Sequence, residues 1–320
     1  MKALTFSVFG DPDVLQYKEV DSPVLKANEI LVEMRAIGLN FSDTERRKGN
    51  YHLLGKPPYI AGYEGAGVVI DNNNHPDFKP GDRVGFGDVP FANAEQVAVP
   101  VTHAIPLPPE ISFETAAAIL LQGMTAHYLA IDSHEVKPGE TVLVHAVAGG
   151  VGQLLTQMCK LLGAKVIGLT SSEAKKSNAL ATGADVVFLY QDDWKTQVLN
   201  YTGGNGVDVV FDSVGSTLND SLAVTKIKGT VVLYGKAGGV PEPPSFELLM
   251  DHSKTITGGD LWSYLTSKEE RVKRSAVLFN WITAGKIRLS EPTTFKLSEG
   301  KLAHEFMESK KSTGKIILIP

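Results

Sequence analysis

The stretch Thr141-Val-Leu-Val-His-Ala-Val-Ala-Gly-Gly-Val-Gly152 decides the fold of this chain. It reads as a buried strand that ends in a glycine cluster, and an apolar stripe with helical spacing follows it. The glycines let the backbone turn tightly and approach a pyrophosphate. The helix then offers free N–H groups and its positive dipole end to the anion. The stretch therefore predicts a dinucleotide site.

The residues that follow this stretch alternate between strand and helix patterns. Strands are predicted over residues 141–146, 165–170, 185–190, 207–213, 229–235 and 253–258, and helices over 113–131, 151–162, 173–182, 193–201 and 216–227. Strands that alternate with helices of this length imply right-handed crossovers and a parallel sheet. The sequence thus predicts an α/β domain with a six-stranded parallel sheet.

The two ends of the chain read as one further domain. Residues 1–110 contain short apolar runs separated by Pro, Gly, Asn and Asp, a pattern that is typical of strands and turns. A helix is predicted over 298–310, and the apolar strand Lys315–Ile319 follows it. This strand needs a partner sheet. We expect it to join the N-terminal β domain, with the dinucleotide domain inserted between the two pieces.

Composition excludes several classes of protein. The 320 residues carry a net charge of −5, which argues against nucleic acid or an anionic membrane surface as a partner held by bulk charge. No apolar run is long enough to span a membrane, and the first residues lack the pattern of a signal peptide. The one cysteine, Cys159, cannot form an intrachain disulfide, so we expect a reducing cytoplasm. Cys159 lies on an apolar helical stripe and is expected to be buried.

The end of the second predicted strand favours NADPH over NADH. An acidic residue there would bond the ribose 2′-hydroxyl of NAD, but the strand runs through Thr170 into Ser171 and Ser172. Hydroxyls followed by the ammonium of Lys175 suit a 2′-phosphate. The alternative is that residues 170–173 form a capping box and that Lys175 belongs to a solvated face. Glu173 would repel the phosphate.

Several unrelated motifs occur in an order that resembles one known family. They are Gly38-Leu-Asn-Phe-Ser-Asp43, Gly62-Tyr-Glu-Gly-Ala-Gly67, Lys79-Pro-Gly-Asp-Arg-Val84, Leu121-Gln-Gly-Met-Thr-Ala126, the stretch 145–152, Asp212-Ser-Val-Gly215 and the closing Gly314–Pro320. The chain resembles the zinc-independent quinone oxidoreductases of the medium-chain dehydrogenase/reductase superfamily, the group that includes zeta-crystallin.

The resemblance implies an architecture of two domains. A GroES-like β domain is interrupted by a Rossmann domain with a doubly wound parallel sheet. We place the first part of the GroES-like domain at 1–120, the Rossmann domain at 121–258 and the returning part at 259–320. Members are often homodimers that pair through the edge of the nucleotide-binding sheet, which here is the strand near 253–258.

The resemblance also bears on zinc. Zinc-dependent relatives place Cys, His and Cys where this chain has Asn40, Tyr63 and Gln122, and neither an amide nor a phenol is a usual zinc ligand. We therefore expect no metal. Without a Lewis acid to deprotonate an alcohol, the cofactor must supply the reactivity, and a conjugated acceptor is required.

Site residues follow from the same resemblance. It implies that Asn40 lies near the nicotinamide and Thr125 near the nicotinamide or the diphosphate. The other cofactor contacts are expected from Gly149, Gly150, Val151, Gly152, Ser171, Lys175, Tyr190, Ser213, Gly215, Gly235 and Lys236. Structural roles stay open for some of them. Asn40 could cap a turn, Thr125 could bond its own helix, Tyr190 could pack on the sheet and Lys236 could be solvated.

One departure from the family pattern concerns the proton donor. Many bacterial relatives carry a tyrosine where this chain has Glu45, so Tyr51 and Tyr63 become the candidate catalytic donors beside Asn40. The favoured interpretation of the residues 46–48, Arg-Arg-Lys, is an exposed basic turn.

The predicted function is zinc-independent reduction of a quinone by NADPH. The alternative is an enone, alkenal or enoyl double-bond reductase with the same cofactor. A third hypothesis is an NADPH-binding protein with little turnover, or one that also binds RNA, as the zeta-crystallin resemblance permits. The net charge of −5 weighs against an electrostatically driven RNA mode. The expected partners are a small-molecule quinone or enone and a second copy of the chain, with no membrane and no nucleic acid.

Overall fold

The structure is a computed structural model and describes residues 1–309 and 311–320. Its strands are β1 Lys2–Phe6, β2 Gln16–Glu19, β3 Glu29–Leu39, β4 Tyr59–Ile60, β5 Glu64–Asp71, β6 Arg83–Phe86, β7 Gln96–Pro100, β8 Ile105–Pro106, β9 Thr141–Val144, β10 Lys165–Thr170, β11 Val186–Leu189, β12 Val207–Asp212, β13 Thr225–Leu233, β14 Thr255–Gly258, β15 Thr293–Lys296 and β16 Ile316–Ile319. Its α-helices are α1 Phe41–Arg47, α2 Phe113–Tyr128, α3 Gly150–Leu161, α4 Glu173–Ala181, α5 Trp194–Tyr201, α6 Leu218–Val224, α7 Phe246–Asp251, α8 Lys268–Thr283 and α9 Gly300–Glu308.

The chain forms two compact units. Unit 1 contains Met1–Met124, Leu265–Gly285 and Ser290–Pro320, and unit 2 contains Thr125–Tyr264 and Lys286–Leu289. The domain limits expected from the sequence stay a prediction. No helix in the described residues is both long and apolar enough to cross a bilayer.

Unit 2 is built on a six-stranded sheet in the order β11-β10-β9-β12-β13-β14, and every pair in it is parallel. This is the strand order of a doubly wound dinucleotide-binding sheet, as predicted. Parallel strands are covered on both faces, so their side chains are almost all apolar. Leu143, Ile167 and Val210 are fully buried, together with Cys159 on α3, whose predicted burial is confirmed.

Element boundaries in unit 2 differ from the predictions at two functional points. The strand predicted over 141–146 ends at Val144, because Ala146 has a left-handed φ of 48° and begins the glycine turn. The helix predicted over 216–227 was wrong at its end, since α6 stops at Val224 and Thr225 already pairs with Val207 in the sheet. Two helices were not predicted: α7, which lies in this unit, and α8, which lies in unit 1.

Unit 1 contains a seven-stranded sheet in which β15, β16, β3, β5, β6 and β8 are neighbours in that order and β7 pairs with β3. The C-terminal strand β16 runs antiparallel to β3, with Ile316 opposite Leu39. This pairing confirms that the last strand joins the N-terminal β domain. The helix predicted over 298–310 is α9, and residue 310 lies outside the described residues.

We predict that Leu318→Ala lowers the free energy of unfolding by about 3 kcal/mol, because the side chain is fully buried in the core of unit 1. Equilibrium urea unfolding measures this loss. Leu302→Ala is the matched control, since Leu302 is 53% exposed on α9, and its effect should stay below about 1 kcal/mol. Equal losses for the two variants would contradict the assigned core.

Candidate functional site

The glycine turn between β9 and α3 is shaped for close approach. A Cβ atom at Gly152 would lie 2.4 Å from the carbonyl oxygen of Ala146 and 2.8 Å from Cα of Val147, so only glycine fits there. Gly149 is the N-cap of α3, and no side chain caps this helix. The N–H groups of Gly150, Val151 and Gly152 therefore lack partners within the helix. This turn suits an anion such as a pyrophosphate.

A buried carboxylate lies at the carboxyl end of β12. Oδ1 of Asp212 accepts hydrogen bonds from the backbone N–H groups of Val214 and Gly215 at 2.8 and 3.0 Å. Its Oδ2 accepts from the hydroxyls of Thr217 and Ser221 at 2.8 and 2.7 Å. Burial raises the pKa of Asp212, and the hydrogen bonds from Gly215, Ser221 and Thr217 lower it; the resulting pKa lies below its usual range. The carboxylate thus stays ionised and orders the loop after β12.

A hydrogen-bond chain joins this carboxylate to the glycine turn. Because the Ser221 hydroxyl donates to Asp212, its oxygen accepts from Nε2 of His145 at 3.0 Å. Nδ1 of the neutral His145 then accepts from the Tyr190 hydroxyl at 3.1 Å. The hydroxyl oxygen in turn accepts from the backbone N–H of Ala146 at 2.8 Å. Burial lowers the pKa of His145, which keeps the ring neutral as this chain requires.

Tyr190 is therefore engaged by the turn itself. Its hydroxyl accepts a hydrogen bond from the backbone N–H of Ala146, and burial raises the pKa of the phenol. The contact with the adenosine phosphate implied by the family resemblance stays a prediction. Sequence reasoning missed His145 and Ser221, although His145 lies inside the glycine motif and could have been singled out for that reason.

The end of β10 has the composition expected for a 2′-phosphate. Thr170 is the last residue of the strand, Ser171 is exposed, and Ser172 is the N-cap of α4. The Ser172 hydroxyl accepts from the backbone N–H of Lys175 at 3.4 Å. The N-cap of α4 is therefore Ser172 and not Thr170, which the capping-box alternative had placed there. Glu173 pairs with Lys176 at 3.7 Å, which offsets part of its negative charge.

The other predicted cofactor residues of unit 2 lie at the same end of the sheet. Ser213 and Gly215 directly follow β12, and a Cβ atom at Gly215 would lie 2.5 Å from the carbonyl oxygen of Gly239. Gly235 and the exposed Lys236 follow β13. Thr125 is buried within α2 and is the first residue of unit 2.

Unit 1 holds a buried polar cluster that joins four segments of the chain. Nζ of Lys315 contacts Oε2 of Glu64 at 2.5 Å and Oδ1 of Asn40 at 2.8 Å. Nδ2 of Asn40 donates to the same Glu64 oxygen at 2.8 Å, and Nε2 of Gln122 donates to Oδ1 of Asn40 at 3.1 Å. Oε1 of Glu64 accepts from the backbone N–H of Leu121 at 2.7 Å. We call these side chains, Asn40, Glu64, Gln122 and Lys315, the amide–ion cluster.

The amide–ion cluster uses the polar atoms of Asn40 internally. Its oxygen takes two donors, and its nitrogen donates to Glu64 and, at 3.4 Å, to the carbonyl oxygen of Gly38. Burial lowers the pKa of Lys315, and the neighbouring Glu64 opposes that shift. Glycine is required at position 38, because a Cβ atom there would lie 2.3 Å from Glu64 Oε2. The lysine was missed from the sequence, although it opens the apolar C-terminal strand.

The interpretation of residues 46–48 as an exposed basic turn was wrong for its first two members. Arg46 is 2% exposed, pairs with Asp43 at 3.1 Å, and lies over the rings of Tyr63 and Tyr51 at 3.6 and 4.8 Å. Arg47 is fully buried. Its guanidinium donates to the carbonyl oxygen of Gly10 and pairs with the carboxylate of Glu308 on α9. A guanidinium can be buried where its donors and its faces all find partners. The i,i+3 spacing of Asp43 and Arg46 is the sequence feature that could have indicated the ion pair.

The two candidate proton donors differ in environment. Tyr63 is buried, its hydroxyl accepts from the backbone N–H of Leu54 at 3.4 Å, and burial raises the pKa of its phenol. Tyr51 is half-buried, and its ring lies 4.0 Å from that of His52. The Tyr51 phenol is thus the more accessible of the two.

Comparison with known families gives two matches that together cover most of the chain. Residues 26–139 match the family described as alcohol dehydrogenase GroES-like domain, and residues 150–274 match the one described as zinc-binding dehydrogenase. The donors here do not fit the zinc of the second description. Amides and a phenol are poor zinc ligands, and the Lys315 ammonium already contacts Asn40. In the part of the chain that is described, no three His, Cys, Asp or Glu side chains could hold a metal.

Similar proteins match over their full length. Quinone oxidoreductase 1 of Escherichia coli is 37% identical over 324 residues, covering 99% of each chain. The 2-haloacrylate reductase of a Burkholderia species is 36% identical, covering 97% of this chain and 96% of that protein. The crystal structure of E. coli quinone oxidoreductase complexed with NADPH has a TM-score of 0.96 at 36% identity and covers 100% of both chains. These matches confirm the family and the fold class predicted from the motifs: the chain belongs to the quinone oxidoreductases of the medium-chain dehydrogenase/reductase superfamily.

Proposed function

We propose that this protein is an NADPH-dependent reductase that passes hydride or electrons from the nicotinamide to a quinone without zinc. The observation that carries the proposal is the full-length match to a quinone oxidoreductase whose crystal structure is described as complexed with NADPH. The uncapped start of α3 supports it, because its N–H groups suit a pyrophosphate. When bound, the nicotinamide supplies the hydride.

The chain's own residues bind and orient that cofactor in this proposal. The turn at Gly149, Gly150, Val151 and Gly152 donates to the pyrophosphate, and its shape is kept by Tyr190 through Ala146. Ser171 and Lys175 bind the 2′-phosphate. The remaining proposed contacts, at the strand ends and in unit 1, are Ser213, Gly215, Gly235, Lys236, Thr125 and Asn40.

The proton for the reduced acceptor comes from solvent or from a phenol. A raised pKa makes Tyr63 a weaker acid and keeps it protonated at neutral pH, whereas Tyr51 is more accessible. We therefore favour Tyr51 as the side-chain donor where one is needed. Asn40 is not a proton donor in this proposal. Its amide is held in one place by the amide–ion cluster, and it contributes by lying beside the cofactor.

A second candidate function is reduction of a carbon–carbon double bond conjugated to a carbonyl group. The relative named 2-haloacrylate reductase, at 36% identity, favours this candidate, because a haloacrylate is a conjugated acid. Hydride would then go to the β-carbon, and the α-carbon would need a placed proton donor.

We also propose a homodimer that forms through the edge of the unit 2 sheet. β14 ends that sheet, and Val240, Phe246 and Met250 shortly before it are 76%, 67% and 74% exposed. An open strand edge beside exposed apolar side chains is typical of an interface. We propose the cytoplasm as the location, because a single buried cysteine agrees with a reducing compartment.

One assay panel tests the function. NADPH oxidation is followed at one protein concentration with a small quinone, an alkenal and an enoyl thioester, and we expect the quinone to be turned over fastest. Faster turnover of the alkenal would favour the second candidate. Tight NADPH binding without turnover on any acceptor would indicate the binding protein that the sequence left open as a third hypothesis.

The choice of cofactor is tested by Lys175→Ala. Loss of a charge-assisted bond to the 2′-phosphate should weaken NADPH binding about tenfold or more and leave NADH binding nearly unchanged. Fluorescence titration measures both dissociation constants. Lys195→Ala is the control, since Lys195 pairs with Asp220 at the surface of the same unit. Equal losses for NADPH and NADH would refute the assigned role.

The dimer is tested by Phe246→Lys, which puts a charge on the proposed interface. Light scattering should give a mass near 34.4 kDa for this variant and about twice that mass for the unchanged protein. Val24→Lys is the control, because Val24 is 88% exposed in unit 1. A dimer that survives Phe246→Lys would exclude this edge as the interface.

A further inference from the structure

Lys315 is a buried cation that the proposed function does not yet use. The residue directly precedes β16, and its side chain is 5% exposed. Its ammonium contacts Glu64 and Asn40, and the second charged neighbour, Asp43, is already paired with Arg46. Taking two charges out of water is costly, so a buried pair of this kind is weak evidence for stability. The Lys315–Glu64 pair is better explained by a role in fixing the arrangement of the side chains around it, such as Asn40.

The ion pair decides which way the Asn40 amide faces. The ammonium can only donate and the carboxylate can only accept, so they match the oxygen and the nitrogen of one amide. Turning the amide by half a revolution would set Nδ2 against the ammonium and Oδ1 against the carboxylate. Both contacts would then be repulsive. Lys315 and Glu64 together therefore permit a single orientation of Asn40.

The orientation of Asn40 fixes Gln122 in turn. Since Oδ1 of Asn40 is the atom that faces Gln122, the amide nitrogen of Gln122 must donate to it, as it does at 3.1 Å. The oxygen of Gln122 is left over. Within the described residues this Oε1 atom is buried and has no hydrogen-bond partner. A buried acceptor without a donor is unfavourable, so a donor from outside the chain is expected there.

We propose that Lys315 is a positioning residue that fixes the amides of Asn40 and Gln122 so that Oε1 of Gln122 accepts an N–H group of the nicotinamide carboxamide. A quinone has only acceptor oxygens, whereas the carboxamide carries two N–H donors. The inference rests on the nucleotide-binding part of the proposed function. It adds Gln122 of unit 1 to the proposed cofactor contacts, because its oxygen can accept the hydrogen bond that the carboxamide offers.

The test compares two nucleotides that differ in the carboxamide alone. NADP⁺ carries it, and the 3-acetylpyridine analogue of NADP⁺ replaces the amide nitrogen by a methyl group. Dissociation constants of the full-length protein are measured by calorimetry without any acceptor. We expect the unchanged protein to prefer NADP⁺ by about tenfold, the effect of one hydrogen bond. Gln122→Met and Lys315→Met should each reduce that preference to about twofold or less, while Lys315→Arg retains it.

Two further variants separate positioning from folding. Glu64→Gln combined with Lys315→Met removes both buried charges, so no unpaired carboxylate remains to destabilise unit 1. The preference should stay lost in this double variant, and its return would overturn the inference. Lys301→Met is the matched control, because Lys301 is an exposed lysine of unit 1 that pairs with Asp13. It should bind both nucleotides like the unchanged protein.

The inference and the proposed function fail in different ways. Equal affinities of the unchanged protein for the two nucleotides, or a full preference in Lys315→Met, would overturn the role of Lys315 and leave quinone reduction untouched. Absence of quinone turnover alongside a tenfold preference would remove the proposed function and leave the role of Lys315 intact. Should Lys315→Met fail to fold, Lys315→Arg, Gln122→Met and the double variant still decide the outcome.

Discussion

A buried charge is tolerated where the charged group itself finds partners, and each unit of this protein is organised by one such constraint. In unit 1 the Lys315–Glu64 pair ties the end of β3, the start of β5, the middle of α2 and the last strand together. In unit 2 the Asp212 carboxylate orders the loop after β12 and, through Ser221, His145 and Tyr190, the glycine turn. All four side chains of the amide–ion cluster lie in the family motifs, and in the unit 2 network His145 and Asp212 do. The polar atoms that remain without a partner are therefore informative.

Much of unit 2 could be predicted because its signals are local. The glycine cluster, the alternation of strands and helices and the absence of an acid at the tip of β10 can all be read within a few residues. The sheet order is that of the doubly wound fold which this alternation predicts. The predicted helix over 216–227 ran too far because Thr225 joins the sheet by pairing with Val207, which is a tertiary contact. The family and the positions of the expected site residues came from the resemblance of the motifs, because periodicity alone predicts neither.

The candidate site was harder to predict because its partners are distant in sequence. Asn40 was singled out, but its partner Lys315 lies 275 residues further along the chain, and no local sequence pattern predicts that contact. Arg46 and Arg47 look like a solvated turn in sequence, since burial depends on aromatic rings and carboxylates contributed by other segments. Tyr190 was singled out as a cofactor contact, which stays a prediction, but the bond between its hydroxyl and the backbone N–H of Ala146 could not be foreseen from the sequence. The identity of each residue was readable, whereas the direction of its hydrogen bonds was not.

Cys159 has a consequence for a protein whose proposed acceptors are electrophiles. Quinones arylate exposed thiolates by conjugate addition, so an enzyme that handles them is at risk of damage by its own substrate. The one sulfhydryl of this chain is fully enclosed on α3, and burial raises the pKa of the thiol so that the reactive anion is suppressed. The packing of the nucleotide-binding sheet thus doubles as protection against self-inactivation.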